Sequence, residues 1–246
     1  VKLGITAQTK LIYEIMSHGG DVTLWLANFE TDAEPADAAD IDDWDDLSPW
    51  GNDFGGSGWP ATAEPPYSRD SQNRHGTLDF DAASYDHLQC DTADTELWDN
   101  ADGLSVMAWC NPTATGDAIL NKYNTSGTDR AFYLQTNSVY VGETGSYNAN
   151  EQGSYTKLAA FGCCGFVWGT GSPVTPYVNN VVGTASVNSI TDITASAGAD
   201  LHLGAGRHGQ DITLDGTLAE IYTLKHELTS AERTALYNFG VIEYGL

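Results

Sequence analysis

Basic residues are scarce in this chain. Its 246 residues include 10 Lys and Arg against 34 Asp and Glu, a formal charge of −24. So few cations give no patch that could displace phosphate counterions, which excludes nucleic acid as a partner. An anionic membrane surface is excluded on the same ground. Long apolar runs are missing too: no stretch approaches the ~18 residues that cross a bilayer, so membrane insertion is excluded. The start, Val1-Lys-Leu-Gly-Ile, lacks the apolar region of a secretory signal, so the chain is read as cytosolic or as having lost a leader. Cys90, Cys110, Cys163 and Cys164 show no zinc-like spacing, and adjacent Cys163 and Cys164 are poorly placed to bond each other. Four buried free thiols are the expectation. The six histidines (His18, His75, His87, His202, His208, His226) form no H-E-x-x-H or H-x-x-x-H cluster, and no G-x-S-x-G elbow is present.

What is present is a core. Hydrophobic residues make up 41% of the chain and aromatics 11%, enough for a packed domain. Short strand candidates follow one another between Gly, Asn, Asp and Pro: 22–29, 77–80, 87–90, 104–111, 118–122, 131–136, 139–143, 154–161, 175–179, 181–184, 201–205 and 217–224. Strands at this spacing without intervening helices predict an all-β, two-sheet antiparallel jelly-roll sandwich. Residues 22–246 read as that one domain.

Helical periodicity occurs at the two ends. Leu11, Ile12, Ile15 and Met16 fall at helical spacing before Gly19-Gly20, which marks residues 1–21 as a short N-terminal helical arm. Two roles stay open for it: packing on the domain, or docking its apolar stripe into a neighbouring subunit. Near the other end, Thr229-Ser-Ala-Glu232 spells a capping box opening one short helix, with Gly240 as its expected stop. Leu218, Glu220, Tyr222 and Leu224 before it alternate as in a packed strand.

Several segments, in order, resemble the laminin-G-like, concanavalin A-type jelly roll of lectins and glucanases. Asp46-Leu-Ser-Pro-Trp-Gly-Asn52 is similar to that group's D-x-S-G-N-G-N turn, with Pro49-Trp50 in place of its first Gly-Asn. Leu78-Asp-Phe-Asp81 and Tyr85-Asp-His-Leu88 resemble its L-x-F-D-G … D-x-L hairpin, with Ala82 where Gly is usual. Leu104–Pro112 resembles its central strand, and Pro176-Tyr-Val-Asn-Asn-Val181 its l-Y-V-N-G-v hairpin, with Asn180 for Gly. Leu201-His-Leu-Gly-Ala-Gly206 and Leu214-Asp-Gly-Thr-Leu-Ala-Glu-Ile-Tyr close the series. Ala219 stands where relatives often carry Asp, which puts a cation site there in doubt.

The resemblance covers enzymes and binding proteins, and the residues separate the two. Glucanases of this group place paired acids on alternate positions of a strand. The nearest stretch here, Asp40-Ile-Asp-Asp-Trp-Asp-Asp46, has no Glu and sits in an early loop, so no enzyme is expected. Binding fits better. Trp44, Trp50, Trp59 and Tyr67 share a loop-rich region and could stack on sugars, unless they plug the ends of the sandwich. Asp45, Asp46, Asn52 and Asp53 beside them are the candidate ligands for Ca2+, which relatives often carry. The leading expectation, by analogy, is a virion structural protein. It would be a capsid decoration or appendage made in the host cytoplasm, with other virion proteins or further copies as partners and a host-surface glycan as its attachment point. The alternative is a secreted or surface Ca2+-assisted carbohydrate-binding module; a glycoside hydrolase comes last.

Overall fold

The computed structural model describes residue 15 and residues 22–27, 36–41, 43–48, 51–55, 64–90, 102–123, 130–142, 152–193, 200–206 and 212–246. In these residues the chain forms two antiparallel sheets of eight strands each, one small two-stranded sheet and one C-terminal helix. The fold is the expected jelly-roll sandwich.

The first sheet is built around β18 (Gly216–Leu224). On one side β18 pairs with β7 (Gly103–Pro112), then β12 (Gly162–Gly169), β14 (Thr175–Val178) and β15 (Val181–Val182). Its other side is shared by two strands. The first half meets β5 (His75–Phe80), which carries β4 (Tyr67–Gln72) outside it, and the second half meets β1 (Val22–Leu26). β18 is therefore central in its sheet. A bulge against β7 falls between Leu218 and Glu220, between the segments paired with β5 and β1. The extra residue shifts the alternation. Leu218 and Ile221 enter the core between the sheets, while Ala219, Tyr222 and Leu224 pack on the outer side.

The second sheet runs β11 (Gln152–Ser154), β10 (Ser138–Val141), β9 (Arg130–Gln135), β8 (Ala118–Tyr123), β17 (Leu201–Leu203), β6 (Leu88–Cys90), β3 (Phe54–Gly55), β2 (Asp43–Trp44). The small sheet pairs β13 (Ser172–Pro173) with β16 (Ser189–Ile190).

The expectation failed at β12. Gly162-Cys-Cys-Gly-Phe-Val-Trp-Gly169 is not among the expected strands, yet all eight residues are buried and pair with β7 in unbroken register. The glycines permit the close approach: a Cβ at Gly165 would lie 2.0 Å from the Val106 carbonyl oxygen. The strand expected over 154–161 ends at Ser154, and Tyr155 and Leu158 turn into the core instead. The four cysteines are buried and free. Cys163 points outward and Cys164 into the core, where its sulfur lies 3.6 Å from that of Cys110. Hydrogen bonding with Cys164, together with burial, pushes the Cys110 thiol up, and burial pushes Cys163 up, so neither is a poised thiolate.

The helix (Ser230–Tyr244) opens with the expected box: Thr229 Oγ1 accepts from the Glu232 amide and Glu232 Oε2 from the Thr229 amide. It runs past Gly240 and stops at Gly245, which has φ 68°. Gly240 is needed mid-helix because a Cβ there would sit 2.0 Å from Trp109 Cζ2. The helix thus lies across the outer face of the first sheet, not on its edge. Trp109 stacks on Tyr237 at 5.8 Å, and Glu220 accepts from the Trp25 indole and the Tyr244 hydroxyl, each at 3.1 Å. Two hairpins hold its ends. Asn180 Oδ1 accepts from Arg233 Nε at 2.8 Å, while Gln72 and Asn73 donate to the carbonyls of Tyr244 and Glu243. Ile15, helical and buried, belongs to this same outer cluster. The other arm residues, Leu11, Ile12 and Met16, lie outside the described residues.

Candidate functional site

The aromatic and acidic loop region sits at β2, β3 and the turn between them. Asp46 is 8% exposed, and its carboxylate accepts four hydrogen bonds. Oδ1 takes the Trp25 and Ser48 amides at 2.8 and 2.9 Å, and Oδ2 takes the Ser48 hydroxyl at 2.6 Å and the Asn52 amide at 2.8 Å. Asn52 in turn donates to the Thr23 carbonyl at 3.0 Å, and Asp53 Oδ1 accepts from the Asp46 amide at 2.8 Å. The turn that resembles a lectin turn is therefore tied by its own acid to β1. Asp46 and Asn52 are spent on this framework, while Asp45 and Asp53 are exposed. Among the described residues no group of three or more His, Cys, Asp or Glu converges where a metal ion could be held.

The two described aromatics of this region are core residues. Trp44 is 2% exposed and donates its indole N–H to the Ala27 carbonyl at 2.9 Å. Tyr67 is 1% exposed and covers Gly76, where a Cβ would fall 2.1 Å from its hydroxyl. Neither ring has a face to offer a sugar, so both plug the sandwich. Trp50 and Trp59 lie outside the described residues, as does His208.

A different constellation appears on the outer face of the second sheet. Register places Gly55 opposite Gln89, Gln89 opposite His202, His202 opposite Asn121, Asn121 opposite Tyr133, Tyr133 opposite Tyr140, and Tyr140 opposite Gln152. Cross-strand partners share a face. Their neighbours Leu88, Cys90, Leu120, Leu201, Leu203, Phe132, Leu134, Val139 and Val141 fill the core, so the row faces outward. Ser138 and Gln135, linked by a 2.7 Å hydrogen bond, extend the same face.

The row is buried along its middle and half-buried at both ends, at Gly55 on one side and Tyr140 and Gln152 on the other. Asn121, His202, Gln89 and Tyr133 are buried, while Tyr140 and Gln152 are half-buried. Tyr133 and Tyr140 form a tilted pair with centroids 6.1 Å apart. Asn121 Nδ2 donates to the Ala205 carbonyl. Chemically this is a strip of amides, an imidazole and two phenols, able to give and take hydrogen bonds beside apolar ring faces. None of these residues belongs to the candidate set Trp44, Trp50, Trp59 and Tyr67. A signal existed: Leu88-Gln-Cys90, Leu120-Asn-Lys122, Phe132-Tyr-Leu134, Val139-Tyr-Val141 and Leu201-His-Leu203 each set a polar or phenolic residue between two others, mostly apolar. Their alignment depends on a strand order that is not the order in sequence.

No protein-family model matches the chain, and no curated protein matches it in sequence. Solved structures do. Domain 4 of AbnA, a GH43 extracellular arabinanase from Geobacillus stearothermophilus, determined in complex with arabinotriose, is 15% identical with a TM-score of 0.50. The match covers 89% of this chain and 98% of that domain. The receptor-binding domain of botulinum neurotoxin mosaic serotype C/D is 11% identical with a TM-score of 0.59, over 90% of this chain and 51% of the other. The binding domain of Paraclostridial Mosquitocidal Protein 1 is 10% identical with a TM-score of 0.59, over 89% and 52%. The chain spans about half the length of these two toxin domains. At such identities the likeness is one of fold, a lectin-like jelly roll shared with a glycosidase's ancillary domain and with toxin-binding domains.

Proposed function

We propose that this chain is a non-catalytic carbohydrate-binding module acting outside the cell, with the glycan meeting the half-buried Tyr140–Gln152 end of the outer row of the second sheet. The observation that carries this reading is the row Gln89–His202–Asn121–Tyr133–Tyr140–Gln152. Five neighbouring strands and the edge strand β11 bring uncharged hydrogen-bonding groups and two aromatic rings into one line. That is the chemistry with which proteins hold sugars. The fold agrees, since the arabinanase domain of the same architecture was determined with arabinotriose bound. Within the 40–46 stretch Asp46 is saturated by protein donors, and Asp40, Asp43 and Asp45 are exposed.

The virion reading draws on the acidic composition and on the apolar arm. Of the arm's apolar stripe, Ile15 packs in the cluster behind the chain's own first sheet.

The test is a glycan array with the labelled chain, run with Ca2+ and again with chelator, beside the variant Tyr140→Ala. Tyr140 is half-buried, so its loss spares the fold. Binding by the native chain, weakened about tenfold or more by the variant as expected for loss of an aromatic contact, supports the reading. Dependence on chelator would add the assisting Ca2+. Silence of the native chain in both conditions overturns it.

A further inference from the structure

We infer that Cys110 and Cys164 are a modification site: where the chain folds in an oxidising compartment, a disulfide closes between them and ties β7 to β12. The two strands pair antiparallel, with Cys110 opposite Gly162 and Cys164 opposite Ala108. Each cysteine thus faces a residue with little or no side chain, and its near sulfur is the one on the diagonal. Both side chains enter the core between the sheets, and their sulfurs lie 3.6 Å apart. That is van der Waals contact, about 1.5 Å longer than an S–S bond, a gap that rotations about the two Cα–Cβ bonds can close. Neither other thiol competes. Cys163 belongs to the cluster on the outer face, and Cys90 to β6 in the opposite sheet.

The oxidant is a second disulfide, small or enzyme-borne, of the kind an oxidising compartment supplies. The thiolate of one cysteine attacks a sulfur of that disulfide, forming a mixed disulfide and releasing one thiol. The other cysteine then attacks the mixed disulfide, which forms the Cys110 Sγ–Cys164 Sγ bond and releases the second thiol. Two electrons leave the pair of cysteines, the external disulfide is reduced to two thiols, and the two cysteine protons end on them. The exchange belongs to folding, because both cysteines are buried once the chain is folded. In the unfolded chain both thiols meet the oxidant freely, and the pairing of β7 with β12 is all that is needed to set them beside each other. The bond joins positions 54 residues apart, so it removes a long loop's freedom from the unfolded chain and stabilises the fold. It goes beyond the carbohydrate reading and does not rest on it, since the row that carries that reading lies on the other sheet.

The experiment exports the full chain to a bacterial periplasm, purifies it without reductant, and alkylates it with iodoacetamide in urea before mass spectrometry. The expected product is alkylated at Cys90 and Cys163 alone, and at all four cysteines after reduction. An unreduced digest should link the Cys110 peptide to the peptide holding Cys163 and Cys164, and fragmentation between those two neighbours should place the bond on Cys164. The same chain made in a reducing cytosol should have a Tm lower by about 5 °C or more. Cys163→Ala should keep the bond, and Cys164→Ala should lose it and become alkylated at Cys110. The linkage map needs no variant and stands if either fails to fold. Alkylation of all four cysteines in the exported, unreduced chain overturns the inference. So does a bond to Cys163 or Cys90, or a bonded chain that melts no higher than the reduced one. None of these outcomes bears on glycan binding, so the two readings fail separately.

Discussion

Asp46 gathers four donors from three separate positions on the chain, and two of them, the Trp25 and Ser48 amides, lie in a region that water hardly reaches. Replacing it with Ala strands those amides as well as deleting charge-assisted bonds. Asp46→Ala should therefore destabilise the fold by about 2–4 kcal/mol in urea unfolding. A loss below about 0.5 kcal/mol, the scale of an ordinary surface change, would show that the acid does not organise the turn. The sequence pattern Asp46–Asn52 identified the turn correctly, but an Asp in a turn has the same composition whether it binds cations or backbone amides. Only the path of β1 past its carboxylate separates the two. Trp44 and Tyr67 posed the same ambiguity, settled by burial that no local pattern reports.

At the scale of elements, the C-terminal helix shows which signals travel well. Its start was legible because a capping box is a contact among four consecutive residues. Its end was not, because Gly240 serves a partner more than a hundred residues away, the indole of Trp109. Gly240→Ala gains about 1 kcal/mol of helix propensity but drives a methyl group into that ring. The net effect should be a loss of about 1–3 kcal/mol, read as a lower thermal midpoint with the helix pushed off the sheet. An unchanged or raised midpoint would mean that the helix does not sit on Trp109 as described. β12 was missed for a related reason. Its glycines lower strand propensity, and their value appears only when β7 comes within reach of Gly165. Asn180 is the converse case. It departs from the Gly of similar hairpins, yet it keeps φ at 61° and uses its side chain to hold Arg233 and Thr234 of the helix.

For the molecule as a whole, the surplus of acid sets how stability answers to pH and salt. Burial holds the carboxyls of Asp79, Asp86 and Asp117 above their ordinary value of 3.8. The native state therefore keeps those protons longer than the unfolded one, and the stabilisation is complete below 3.8 and lost as pH rises through the raised values. Glu232 runs the other way. Burial alone would raise it, but the Thr229 donors and His226 hold it below 4.5, so its contribution is present above 4.5 and lost as pH falls through the lowered value. Three groups oppose one, and self-repulsion at a charge of −24 acts with the three. Tm should thus be higher near about pH 5 than at about pH 7, and at the higher pH it should climb with added NaCl as repulsion is screened. A Tm that falls on mild acidification and ignores salt would contradict this balance. The two-sheet architecture was readable from strand spacing. The site was not, since it exists only once β6, β17, β8, β9 and β10 stand side by side.

Ile15 from the leading flank and Tyr244 from the trailing one lie in the same apolar cluster behind the first sheet, while Asn121 and its row face away from it across the core. The domain has, in effect, a back and a front. A tag joined after the exposed Leu246 leaves from the helix side, so the chain can be fixed to a solid support with the half-buried Tyr140–Gln152 edge still turned to the surroundings.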